Sequence, residues 1–190
     1  ADACTLVAMR QQDVPPDVGP ASGVTAEPSV SSAPEIRLRL IVAIAIGLVS
    51  GLVAYLLHAR PGFWADFAFL WTGARVLLAG GDPYVTLPND WGDWFDTPLL
   101  YPLPTVLLAV PVARLSLAAA GGIMMGFSAA LLAFVLTRNG WHRLLMLASA
   151  PFVMALNLGQ WSPLVTTAAL VPTLGFLVAL KPNIGLAALA

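Results

Sequence analysis

The sequence predicts an all-α fold: a polytopic bundle of transmembrane helices with an amphipathic surface helix in its first outer loop. Three observations predict it. Hydrophobic residues make up 58% of the 190-residue chain and charged residues 10%, with a mean hydropathy of +0.83. A soluble domain carries about 25% charged residues, so this chain has too little polar surface to cover itself in water. The charges are also uneven, which leaves long uncharged runs, the first of them directly behind two arginines. Prolines then punctuate the later runs.

Residues 1–36 are rich in Pro, Ser, Val and Ala and follow no helical or strand period. Such a segment buries too little apolar surface to offset its ordering entropy, so it reads as a disordered cytoplasmic leader or, equally, as translated upstream sequence with no role. Residues 37–190 read as the N-terminal part of a membrane domain. The chain begins at Ala1 and stops inside the apolar run Ile184 to Ala190, and is read as a piece of a longer protein.

Arg37 and Arg39 precede Leu40 to Leu57, an uncharged run. Roughly 20 such residues cross a bilayer core, and the arginines place the start of the helix on the cytoplasmic side. No A-x-A site follows, so a signal anchor fits better than a cleaved signal peptide. Gly47 and Gly51 form a small-xxx-small pair that permits close helix approach, a spacing that chance also supplies in Gly/Ala-rich spans.

Residues 59–100 then lie outside the cytoplasm, with five aspartates against two arginines, a formal charge of −3. Within them Phe67 to Leu78 reads as an amphipathic helix. Phe67, Leu70, Trp71, Ala74, Leu77 and Leu78 fill one stripe, with Thr72 and Arg75 opposite. Gly80-Gly81 stops it and Asp82-Pro83 turns the chain. So short a helix with two aromatics on its apolar face would lie along the membrane surface. Further spans are expected near 103–115, 118–137, 144–158 and 164–180, with another begun after Lys181-Pro182. Pro104, Pro111, Pro151, Pro163 and Pro172 predict breaks or tilts in them. Arg114 favours a cytoplasmic turn but Arg138 and Arg143 would then face outward, which leaves the later topology open.

Composition excludes several functions. The net charge of −1 supplies no basic patch for nucleic acid. A lone cysteine, Cys4, excludes an intrachain disulfide or a Cys-based zinc site. No phosphate-cradling glycine loop, G-x-S-x-G or H-E-x-x-H occurs. His58 and His142 flank predicted spans, where interfacial placement is the ordinary reading.

Asp66 supports two readings. Immediately before an apolar-periodic segment, Asp is a favoured helix N-cap, worth about 0.5–2 kcal/mol. Beside Trp64 and Phe67 at a membrane surface, it is also a candidate general base. Arg75 is not its natural partner, lying on the opposite helix face and about 13 Å further along the axis. The run Asn89 to Asp96 alternates Asp90, Asp93 and Asp96 with Trp91, Trp94 and Phe95. Rings beside acceptors suit a sugar, three carboxylates suit a divalent cation, and tryptophans also rest at membrane interfaces. Lys181, a cation between apolar segments, costs several kcal/mol unless paired or wetted. It suits a lipid phosphate, or it snorkels at a helix end.

These segments, in this order, resemble glycosyltransferase family 87. The resemblance rests on Asp66-Phe67, Trp71, Ala74-Arg75, Leu77-Leu78 and Gly80-Gly81-Asp82-Pro83-Tyr84. Tyr101-Pro102-Leu103-Pro104 answers a Tyr-Pro-Pro motif that Leu103 interrupts. Gly159-Gln160 and Lys181-Pro182 then follow. It covers Leu40 to the end of the chain, about half the family's length. It implies a GT-C membrane enzyme of the plasma membrane that transfers mannose from a polyprenyl-phosphate donor to a glycolipid or glycan acceptor, on the outer face and with inversion. It implies Asp66 as the catalytic base and Lys181 or Arg75 as the cation for the donor phosphate. Tyr84, Tyr101, Gln160 and Trp94 become substrate-binding candidates, and neither metal nor cofactor is required. A GT-C enzyme using arabinose or glucose fits the same residues. From another class, a transporter or an assembly subunit is the alternative; proline-broken helices with a midplane cation would suit a transporter, although a transporter needs no large outer amphipathic helix begun by a carboxylate.

Overall fold

The computed structural model describes residues 32–60, 65–85 and 99–180, and among these there are helices and turns but no strand. The helices are α1 (Ala33–His58), α2 (Asp66–Leu78), α3 (Leu103–Ala109), α4 (Leu117–Thr137), α5 (Ala150–Leu158) and α6 (Ser162–Leu170). Three 3-10 segments join or extend them, at Val110–Val112, Trp141–Ala148 and Pro172–Leu180. The described helices fall in one unit that starts at Ala33.

The first helix therefore begins before the predicted boundary, and residues 33–36 belong to it rather than to a disordered leader. Pro34 pre-sets helical φ in the first turn, where its missing N–H is not needed. Glu35 complements the positive end of the helix dipole and pairs with Arg39 one turn on. Both α1 and α4 are long and apolar enough to cross a membrane; at 1.5 Å per residue they reach about 39 and 31 Å, against roughly 30 Å of hydrocarbon. Core helices of soluble proteins pass the same length test, but α1 turns most of its apolar surface outward. Leu48 is 70% exposed, and Ile41, Val49, Leu52 and Leu56 lie open beside it. An outward face of that chemistry suits lipid.

The two long helices pack along each other through four glycines. A Cβ on Gly47 would stand 2.8 Å from the Gly126 carbonyl oxygen, and one on Gly51 would stand 2.8 Å from that of Gly122. Gly122 and Gly126 face back onto Gly51 and Gly47 in the same way. The small-xxx-small pair read in α1 thus meets a second such pair in α4, and the two backbones touch. Polar side chains along these apolar helices bond within their own helix, Ser128 Oγ donating to Met124 O at 2.7 Å and Thr137 Oγ1 to Phe134 O at 2.8 Å.

The later apolar runs are shorter than predicted. The expected span at 144–158 divides into a 3-10 segment and α5, parted at Ser149 and Pro151. The one expected at 164–180 divides into α6 and a 3-10 segment at Val171-Pro172. Proline removes a donor and clashes with the preceding turn, so each run breaks where its proline falls.

Helix α2 starts within one residue of its predicted position, but its apolar stripe closes on protein. Phe67, Leu70 and Ala74 are buried with Val106, Ala109 and Ala113 from the α3 region, Ala120 of α4, and Trp161 and Leu164. Trp71 Nε1 donates to the Leu115 carbonyl at 3.1 Å, which ties α2 to the α3–α4 connection. Its C-terminus closes on Gly80, at φ +80°. Gly80 N donates to Leu77 O at 3.0 Å and Gly81 N to Val76 O at 2.9 Å, the double bond of a Schellman motif.

Candidate functional site

Asp66 is the first residue inside α2 and not its cap. Ala65 occupies the cap position, with no side-chain bond to the helix N-terminus. The capping reading fails, because the carboxylate is engaged elsewhere: its Oδ2 accepts from Gln160 Nε2 at 2.9 Å, across 94 residues of chain. A carboxylate in the first turn still gains from the helix dipole.

Gln160 reaches Asp66 because of the turn that carries it. Helix α5 ends on Gly159, whose φ of +61° is left-handed, and Gln160 N donates to Ala155 O at 2.9 Å. The Gln160 amide is oriented from its other side, where Ser162 Oγ donates to Oε1 at 3.4 Å. One face of the amide gives and the other accepts, which fixes which atom meets the carboxylate.

Tyr101 completes this corner. Burial and the negative Asp66 carboxylate together push its phenol up to about 12, so at neutral pH it is an uncharged donor beside the acid. Tyr84 holds the Tyr101 backbone, its hydroxyl donating to the Tyr101 carbonyl at 2.9 Å. The Asp82-Pro83 turn sets Tyr84 in turn: Tyr84 N donates to Asp82 Oδ1 at 2.9 Å, and Val85 N to Asp82 O at 3.2 Å. Phe67 and Trp161, the residues that follow Asp66 and Gln160, lie buried with ring centroids 6.1 Å apart, tilted by 44°. The result is a half-buried acid with an amide donor and a neutral phenol beside it.

Arg75 is not brought to Asp66. It sits exposed in the last turn of α2, its guanidinium 4.6 Å from the centre of the Trp71 ring, a cation–π contact. Lys181, Trp94 and the acidic run of Asp90, Asp93 and Asp96 lie outside the described residues.

Sequence reasoning missed three contributors. Ser162 and Trp161 flank Gln160 with no motif of their own, and only the fold reveals them. His58 was expected at the interface, but is buried at 6% exposure, because α4 and the α5–α6 turn close over it. His142 is exposed.

No family model matches the chain, and neither a curated protein nor a solved structure matches it.

Proposed function

We propose that this chain is part of a polytopic GT-C-type membrane glycosyltransferase. It transfers a hexose, mannose by the family resemblance, from a polyprenyl-phosphate donor to a glycolipid or glycan acceptor outside the cytoplasm. The observation that carries the proposal is the Asp66–Gln160 hydrogen bond. Two positions that the resemblance singles out, 94 residues apart, share one contact.

The geometry suits a general base. One Asp66 oxygen is held by the Gln160 amide, so the carboxylate has a fixed orientation toward an acceptor hydroxyl. As that hydroxyl oxygen attacks the anomeric carbon, its proton passes to Asp66. The bond from that carbon to the donor phosphate oxygen breaks, and the electron pair leaves with the lipid phosphate. Attack opposite the leaving group inverts a β-linked donor to an α-linked product. The phosphate departs with added charge and needs a cation, for which Lys181 and Arg75 are the candidates. Tyr101, neutral beside the acid, donates to a sugar oxygen. Phe67 and Trp161, buried and packed on each other one residue along from Asp66 and Gln160, help hold that pair in place. Tyr84 acts by holding Tyr101, and Trp94 is a further candidate for sugar binding.

The test is made on the full-length protein in detergent, supplied with polyprenyl-phosphate-mannose and a mannoside acceptor. An α-linked product identified by NMR is expected. No product from mannose, glucose or arabinose donors would favour the transporter reading.

A further inference from the structure

Among the described residues His58 is the one titratable side chain in the buried class, and the proposed chemistry leaves it unused. It ends α1, and its imidazole occupies a slot between two glycines of other elements. A side chain at Gly121 of α4 would collide with imidazole Nδ1, while a Cβ on Gly159 would stand 3.0 Å from Cε1 and 3.3 Å from Nε2. The same Cβ would stand 3.1 Å from that of Ala65. The ring also has a polar contact with the Leu156 backbone in α5. His58 thus touches α4, α5 and the α5–α6 turn, and that turn contacts the residue before Asp66.

We propose that His58 is a positioning residue: its imidazole fills the gap between Gly121 and Gly159 and fixes the turn at which Gln160 meets Asp66. Gly159 directly precedes Gln160, and Ala65 directly precedes Asp66. A ring wedged behind Gly159 therefore controls how far the Gln160 amide stands from the carboxylate. Interiors are close-packed, so emptying this slot lets the turn settle inward. Displacements near 1 Å suffice to cost catalysis when a group must be oriented. The catalytic part of this inference rests on the proposed glycosyl transfer.

A double-mutant cycle tests it in the full-length protein, with His58→Ala and Gln160→Ala alone and together. His58→Ala is expected to lower kcat by roughly ten- to a hundredfold with little change in KM, because orientation is lost and binding is not. In the Gln160→Ala background the same change is expected to cost almost nothing further, since the amide it positions is gone. His58→Gln, which keeps bulk and a donor, should recover part of kcat, and it carries the cycle if His58→Ala does not fold. Equal losses in both backgrounds would overturn the proposal. If the wild type transfers no sugar, the glycosyltransferase reading fails separately, and the cycle is read on thermal unfolding. Coupling between positions 58 and 160 then supports the positioning role, and additivity overturns it.

Discussion

Gly159 is glycine for two separate reasons, and both bear on where Gln160 sits. Its φ of +61° is a conformation that costs other residues about 1–2 kcal/mol, and a Cβ there would press on His58 and Ala65. Gly159→Ala is therefore expected to lose about 1–2 kcal/mol of stability or more, read as a lowered Tm in detergent. Tyr101 gives a pH dependence with a definite sign. Its phenol rises from 10 to about 12 on folding, so the folded state holds the proton more tightly than the unfolded chain. That contribution is intact below pH 10 and is lost as pH climbs toward about 12. Tyr101→Phe should flatten the alkaline fall in Tm over this window, and an unchanged slope would show that the phenol is not buried beside the acid. At this scale the sequence was partly legible. Asp66 and Gln160 stood out through the resemblance, but their contact is long-range and no local pattern encodes it. The capping reading failed because local preference favours Asp as a cap, whereas the carboxylate here has a tertiary partner.

The elements show what periodicity can and cannot specify. The stripe through Phe67, Leu70 and Ala74 marked α2 to within a residue of its start, because a 3.6-residue period needs no knowledge of what covers it. The covering was misread: the stripe meets the α3 region, α4 and Trp161, where membrane surface was expected. The Gly47/Gly51 pair was legible only as a possibility, since one helix does not reveal its partner. With Gly122 and Gly126 opposite, backbone meets backbone and nothing flexible can yield. Gly51→Leu should part α1 from α4 and cost about 1–3 kcal/mol, measured as a fall in Tm. Val49→Ala, at a side chain 63% exposed, should leave Tm nearly unchanged. Equal effects at the two positions would argue against this helix pairing.

For the whole molecule, composition settled the helical class and located two helices able to cross a membrane. It overestimated the later spans, because apolar runs were measured by length while proline decides where a helix stops. The side of the membrane is a matter of topology, and a cysteine probe reports it. With Cys4 replaced by Ser, Val85→Cys places a thiol where the native side chain is 79% exposed. An impermeant maleimide should label it in intact cells, and labelling only after lysis would put the α2 end of the molecule in the cytoplasm. In the proposed reaction the carboxylate of Asp66 takes a proton from an acceptor hydroxyl. The most direct test of that step compares kcat of the full-length wild type with that of Asp66→Asn, which keeps size and polarity but cannot accept the proton. A loss of about two orders of magnitude or more, in a variant that inserts and melts like the wild type, is the predicted result. Near-normal turnover by Asp66→Asn would contradict it.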